Sequence, residues 1–599
     1  MSNQGFTGNR YIDGILWGGN RWSSNTITYS FRSNWQNFER NAVRNALQLF
    51  SNVANLTFVE ISDNQPGATL NFEKGLRGNF LGEAGPPGTI GEGEVSINET
   101  ATGWTVNGLK QGGYGFVTLI HEIGHALGLA HPHDNGGGSS RYPGVFSSSD
   151  TGNNGLNQGI WTTMSYNDGF LPDGIGIGQN YGYQGAPMSF DIAALQHLYG
   201  ANNNFNSGNN TYWLPYQNTI GTYYTSIWDT SGTDTISASY VWDNATIDLR
   251  AAALTGSRAG GFVSTIDTIA GGFTIANGVT IENAEGGYGN DILRGNNGNN
   301  QLFGNGGDDR LYGYRGADQL FGGEGVDSLY GSGGNDTLDG GEGLDQVLHG
   351  GNGSDTATYL SSSVGITADL AFGTVEWAGS FGYEQLISIE NIVGSNSGDI
   401  LLGDSKNNKL FGKQGRDELF GEGGKDILHG GGGNDTVVGG DGDDKLFGNN
   451  GADLVYGGQG SDLLRGGAGD DFLSGNEGTD TLRGDAGDDY LVASYDDLSN
   501  AAEYDELYGG GGSDTFVLGD EYSGILYEGV GHAIVRDWDA SLDYVKMFGS
   551  ASQYSLLSGN WVGSNATDTA IVASNNSGEI YGILQDTVDV NMARDVFFV

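Results

Sequence analysis

Cysteine is absent from the 599 residues, which removes disulfides and thiol chemistry from consideration. Stability in an oxidising environment must then have another source, and bound metal ions are the obvious candidate. Proline is scarce at 8 residues, so collagen-like or proline-rich extended structure is excluded. Basic residues are few: 25 Lys and Arg stand against 73 Asp and Glu, a formal net charge of −48. A field of that sign repels nucleic acid and anionic membranes, and neither is expected as a partner. No apolar run reaches the length of a membrane span, so membrane insertion is not expected. The stretch MSNQGFTGNRYIDG lacks the basic and apolar regions of a classical signal peptide. What the chain has in excess is glycine, at 109 residues, alongside 11% aromatic residues. Glycine at that level points to many tight turns, and the aromatic content is too high for a disordered acidic chain.

A chain of this length predicts several domains. Its first 200 or so residues read as mixed α and β. Phe38, Ala42, Ala46, Leu49, Phe50 and Val53 fall at helical spacing and predict one apolar face of a helix. Runs such as TITYSF and LTFVEI read as strands beside it. A second helix is predicted over Phe116–Leu127, and a third beginning near Asp191, which can cap DIAALQHLYG.

The second of these helices carries HEIGHALGLAH at residues 121–131. His121 and His125, four apart, share one helix face and can bind one ion. Glu122 lies beside them, close enough to contact water on a metal without ligating it. On a continued helix His131 would sit roughly 240° around and about 9 Å along, too far to meet the same ion. The helix must therefore stop, with Gly128 accepting the left-handed turn and Pro132 preventing resumption. Three neutral imidazoles with a fourth position open to water are the pattern of a catalytic zinc site. In that chemistry zinc acidifies water and polarises a carbonyl, and Glu122 takes the proton and passes it on. His133 and His197 fall outside the pattern and are expected at the surface or in packing.

From Gly286 the texture becomes a nine-residue repeat, G-G-x-G-x-D-x-U-x with U large and apolar. One block keeps its aspartates in register at Asp291, Asp309, Asp318, Asp327, Asp336 and Asp345, with Asn300 in the remaining slot. A second holds Asp399, Asp417, Asp426, Asp435, Asp444, Asp453, Asp462, Asp471, Asp480 and Asp489, with Asn408 among them, and Asp505 and Asp514 reopen the spacing. The glycines, Gly287 and Gly289 in the first unit, turn the chain sharply with carbonyls inward. Each aspartate adds a hard oxygen, and x-U-x makes a short strand. Stacked turns predict a parallel β-roll with calcium between neighbouring loops, because oxygen-only ligation suits calcium. The sites at Asn300 and Asn408 are expected to be weak or empty.

Taken together these motifs resemble the serralysin branch of the metzincin zinc peptidases with RTX calcium repeats. WGGN, TITYSF, SFDIAALQHLYGAN and GVTIENAEGGYGND extend the likeness along most of the chain. The resemblance implies a methionine-containing turn below the metal, matched by Met164 in TTMSY, and a tyrosine that stabilises the transition state, matched by Tyr166. It implies junction calcium at Asp229 and Asp234 in WDTSGTD, completed by carbonyls of Asn206, Gly208 and Asn210. One departure is His133, where the family more often has glycine, a change at the rim of the cleft. No pro-segment is evident.

The expected architecture is multidomain. An α+β metzincin catalytic domain (1–215) is followed by a junction (216–285), an all-β parallel β-roll block (286–355) and a non-repetitive β interlude (356–397). A second roll block (398–514) and a C-terminal β-rich domain with a type I secretion signal (515–599) complete it. The implied function is a secreted, monomeric zinc endopeptidase acting on protein or peptide substrates, folded by multiple structural calcium ions. Export by a type I exporter is implied by Asp595-Val596-Phe597-Phe598-Val599, an acidic residue before four apolar ones. The alternative is a calcium-dependent cell-surface or matrix adhesion protein with a vestigial peptidase domain. A polysaccharide hydrolase is disfavoured, because no paired carboxylates flank the motif.

Overall fold

The computed structural model describes residues 2–32, 34–75, 80–168, 178–379, 382–493, 504–520, 524–525, 531–563, 566–574 and 579–599. The chain divides into two compact units, Met1–Gly322 and Gly323–Val599.

The first unit begins with a five-stranded sheet in the order Thr57–Glu60, Thr26–Phe31, Leu70–Lys74, Glu94–Ile97 and Gly82–Ala84. Four strands run parallel, and Gly82–Ala84 lies antiparallel at one edge. Among the described residues the α-helices are α1 (Arg10–Asp13), α2 (Asn37–Val53), α3 (Tyr114–Ala126) and α4 (Ser189–Tyr199). The buried face of α2 is centred on Val43, Ala46, Leu47 and Phe50, and Leu49 is only half-buried. Ala42, Ala46, Phe50 and Val53 are buried as the spacing predicts, and Val43 and Leu47 join them in place of Phe38 and Leu49. Ile27, Phe31, Phe72, Val95 and Ile97 of the sheet are completely buried, as are Leu119, Ile120 and Ile123 of α3. These apolar faces hold α3 against the sheet, and α3 carries the histidine motif. The α4 start differs from its expected cap. Met188 is the N-cap, and Asp191 sits three residues inside, accepting the Met188 amide at 2.9 Å.

Coiling begins in this unit well before the glycine-rich texture. Thr211–Trp213, Thr235–Ser237, Asn283–Glu285 and Gln301–Gly306 pair in parallel in one ladder. Ala245–Asp248, Ile292–Arg294 and Arg310–Tyr312 form another.

In the second unit successive nonapeptides alternate between two parallel sheets. Each strand therefore pairs with the strand 18 residues on: Lys409 with Ile427, Lys445, Leu463 and Thr481 in turn on one sheet. The other sheet carries Glu418, Thr436, Leu454, Phe472 and Tyr490 in the same relation. Two nonapeptides make one coil. Leu410, Leu428, Leu446, Leu464 and Leu482 stack inside with no exposure, facing Leu419, Val437, Val455, Leu473 and Leu491. The interlude joins these ladders through Thr356–Thr358, which pairs with Thr337–Glu342 on one side and Asn391–Val393 on the other, while Thr374–Trp377 runs antiparallel to Ile366–Asp369 and Glu384–Ile387. Beyond residue 515 both sheets continue, and Val596–Phe598 pairs in parallel with Tyr544–Met547. Among the described residues no helix is long and apolar enough to cross a membrane.

Candidate active site and metal centres

Helix α3 ends at Ala126, and Gly128 follows with φ +104°, where a side chain would strike the Asn20 carbonyl. The reversal brings His131 back to the helix. The Nε2 atoms of His121, His125 and His131 form a triangle with sides of 3.0–3.1 Å. Each ring is held through its other nitrogen: His121 Nδ1 by the Thr163 carbonyl at 2.8 Å, His125 Nδ1 by the Leu129 carbonyl at 2.9 Å, and His131 Nδ1 by Asp134 Oδ2 at 2.7 Å. Nδ1–H donation to those oxygens leaves every Nε2 lone pair aimed into the triangle. Burial, then the neighbouring His131, lowers His121 to about 3, and burial lowers His125 well below its ordinary range. Neutral imidazoles converging at these distances fit a zinc ion, which takes nitrogen ligands at about 2.0–2.1 Å.

Glu122 is 6% exposed. Burial first, and the Glu83 carboxylate second, push it up to about 8. It lines a cleft of about 360 Å³ together with His121, Thr163, Tyr166, Tyr183 and Gly82, so the edge strand Gly82–Ala84 forms one wall. Met164 is fully buried, and its sulfur lies 2.8 Å from where a Cβ on Gly124 would stand. Asp191, reached by no sequence argument beyond capping, clamps this turn. It accepts the Thr162 hydroxyl at 2.5 Å and the Thr163 amide and hydroxyl at 2.7 and 2.9 Å. Tyr166 is 57% exposed, with its ring 5.6 Å from His121 and 4.7 Å from His131. Partial burial, then Glu122, pushes its hydroxyl up to about 12. His133 stacks on His131 at 4.8 Å and meets Tyr166 at 4.7 Å, so it packs on the site instead of standing apart from it. His197, by contrast, bonds the Gly5 carbonyl.

Residues 21–137 match the matrixin peptidase family. Matches to the RTX calcium-binding nonapeptide repeat cover 285–320, 312–347, 321–357, 393–428, 402–437, 429–464, 456–491 and 502–521. A serralysin of Proteus mirabilis is 34% identical over 282 residues, 43% of this chain and 54% of that protein. Metallopeptidase AprA of Pseudomonas marginalis is 37% identical over 267 residues, 42% of this chain and 53% of its own. The chain thus joins a matrixin-like peptidase segment to RTX calcium-binding repeats, and it is similar to the serralysins. It spans about half the length of the curated relatives it matches. Serralysin C of Dickeya chrysanthemi, at 36% over 269 residues, extends the same picture.

The nonapeptide repeats place every register aspartate from Asp291 to Asp489 in the interior, none more than 3% exposed. Beyond the first aspartate of each block, one carboxylate oxygen commonly accepts the amide of the register residue one coil earlier, as Asp453 Oδ1 does from Asp435 and Asp426 Oδ1 from Asn408, at 2.8 and 2.7 Å. The other oxygen of Asp345, Asp417, Asp426, Asp435, Asp444, Asp453, Asp462, Asp471 and Asp489 is buried with no hydrogen-bond partner. Burial pushes Asp417, Asp426, Asp462, Asp471 and Asp489 up to about 7. Buried oxygens without donors cost stability unless a cation meets them, and a hard divalent ion fits. Asn300 and Asn408 instead satisfy themselves: their Nδ2 groups donate to the Glu282 and Glu390 carbonyls at 2.9 Å. Asp291 and Asp399 have both oxygens occupied by backbone amides, Asp291 by Ala245 and Gly287. Gly289 precedes Asp291 in the same turn.

At the junction Asp229 and Asp234 are buried beside each other, and burial raises Asp234 to about 6. The Tyr212 hydroxyl donates to Asp229, and the Asn210 amide to Asp234 at 2.7 Å. The Asn206 and Asn210 carbonyls accept the Thr230 and Thr235 amides. Glu282, which the sequence reading did not single out, accepts the Asp234 amide at 2.8 Å.

Proposed function

We propose that this protein is a secreted zinc endopeptidase that hydrolyses peptide bonds of proteins, with calcium ordering its roll. The observation that carries the reading is the triangle of Nε2 atoms with each Nδ1 anchored, beside the buried Glu122. A zinc ion held there supplies Lewis acidity toward water and a peptide carbonyl. Glu122, with its raised affinity for a proton near neutral pH, receives the proton from water and returns it to the leaving amine. Tyr166 keeps its hydroxyl proton up to about pH 12 and so can donate a hydrogen bond to the oxygen that becomes negative. The open edge of Gly82–Ala84 offers main-chain groups to an extended substrate, which would align its scissile bond along the cleft.

Export by a type I exporter is part of the same reading. The segment Asp595–Val599, whose Val596–Phe598 pairs on the roll once folded, is assigned to it. The adhesion alternative predicts a site free to decay, whereas Glu122 and all three imidazoles with their Nδ1 partners are in place.

Glu122→Gln tests the mechanism directly. The expected result is a zinc content equal to wild type and a fall in casein hydrolysis of about 10²- to 10⁴-fold. Near-wild-type hydrolysis by the zinc-loaded variant would remove Glu122 from the mechanism.

A further inference from the structure

The roll supplies its own ruler for cation sites. At Gly430 the point where a Cβ would stand is 2.5 Å from Asp435 Oδ2 and 2.9 Å from the Gly448 carbonyl oxygen of the next coil. At Gly457 the same point is 2.5 Å from both Asp462 Oδ2 and the Gly475 carbonyl. One carboxylate oxygen and one carbonyl oxygen recur at this position along the roll.

Gly340 departs from that rule. Its repeat aspartate, Asp345, is in place, but the second oxygen is a carboxylate, Glu384 Oε2 at 3.3 Å. Glu384 is completely buried, on the strand Glu384–Ile387 within the interlude between the two repeat blocks. Its Oε1 accepts the Tyr359 hydroxyl at 2.7 Å, and Asp345 Oδ1 accepts the Asp327 amide at 2.8 Å. Glu384 Oε2 and Asp345 Oδ2 face each other, and neither meets a donor from any other group. The charges acting on Glu384 come from Asp345 and Asp339, both negative. Burial, then Asp345, holds Glu384 well above the usual carboxylate range, so ionising it demands a positive charge.

The fold does not require an acid here. The junction has the same construction, with Asp234 bonded to Glu282 as Asp355 is to Glu390, at 2.8 and 3.0 Å. Its strand pairs Ile227 with Ile275 as the interlude pairs Leu348 with Leu386. In that register Ala238 and Phe273 occupy the places of Tyr359 and Glu384.

We propose that Asp345 and Glu384 together hold a divalent cation of the calcium class, in a two-carboxylate site built by the interlude. Two hard anionic oxygens select calcium over a soft metal. Tyr359 is a positioning residue, fixing Glu384 Oε1 so that Oε2 points at Asp345. The proposal rests on the reading of the roll as a calcium binder, and the test separates the two.

Native mass spectrometry of the full chain at fixed free calcium counts bound ions one by one. Glu384→Gln keeps shape and the Tyr359 bond but removes the charge, and is expected to lose one ion relative to wild type. Asp435→Asn, in a regular coil, is the control and is also expected to lose one. Tyr359→Phe should keep the full count at saturating calcium and release one ion earlier on chelator titration. If Asp435→Asn loses an ion and Glu384→Gln does not, the two carboxyls share a proton and the proposal is wrong while the calcium roll stands. If neither variant changes the count, the calcium reading of the roll fails as well.

Discussion

Of the three imidazoles, only His131 is anchored by a group that mutation can delete. Backbone carbonyls of Thr163 and Leu129 hold His121 and His125, whereas the Asp134 carboxylate holds His131 at 2.7 Å. Asp134 also accepts the Gly136 amide at 2.8 Å, which fixes the turn that presents it. Removing a carboxylate behind a zinc-bound histidine typically weakens metal binding by about 10- to 100-fold, or about 1.4–2.8 kcal/mol. Asp134 is 40% exposed, so water competes with this hydrogen bond and the lower end applies. Asp134→Ala is therefore expected to bind zinc about tenfold more weakly than wild type. Asp134→Asn retains one neutral acceptor oxygen, which can serve His131 only if the Gly136 amide gives it up, and should fall between the two. Competition against a chromogenic chelator, at saturating calcium, measures all three proteins on one scale. Zinc affinity for Asp134→Ala indistinguishable from wild type would show that His131 is oriented by packing against His133 and Tyr166 instead.

Three other outcomes are open to measurement. Tyr166→Phe should lower kcat by about 10²-fold with KM little changed, since the lost donor acts on charge that develops during reaction; a purely KM effect would make it a binding residue. Leu446→Ala, at a position with no exposure between Leu428 and Leu464, should cost the calcium-loaded roll about 2–5 kcal/mol in guanidinium unfolding, and a change below about 1 kcal/mol would contradict the tight stacking. In chelator, the aspartates raised to about 7 stabilise the fold fully below their unfolded value of about 3.9 and lose that contribution as pH rises through about 7, so circular dichroism of the calcium-free roll should show more β-structure at pH 5 than at pH 8; the reverse order would refute the burial of these groups.

Much of the zinc site was legible because its logic is local. Four-residue spacing puts His121 and His125 on one face, and Gly128 with Pro132 forces the reversal that returns His131. Asp134 and Glu83 were not legible, since which carboxylate meets a ring or a buried acid depends on how a turn and an edge strand are packed. Asp191 looked like a helix cap because a local rule sees only its own helix. Its main partners, Thr162 and Thr163, lie about 28 residues earlier in the chain and meet it only in the folded domain. The nine-residue register of the roll was plain, yet periodicity reports the unit and not how many units close a coil. That number follows from the pairing of Lys409 with Ile427. Glu384 stands outside the repeat grid, so no repeat argument could reach it, whereas Glu282 and Glu390 extend the grid one nonapeptide before Asp291 and Asp399 with glutamate in the aspartate slot.

The two-sheet coil makes the roll sensitive to the parity of its length. Losing one nonapeptide would hand every later strand to the opposite sheet and invert the side on which its outward residues appear. Losing two would shorten the roll by one coil and leave every surface where it was. The register tolerates an offset that is no multiple of nine: Asp480 and Asp505 are bonded at a separation of 25, seven beyond the usual 18, and Asp489 and Asp514 repeat that offset. Within the strands, by contrast, only whole coils can be gained or lost without turning the surface over.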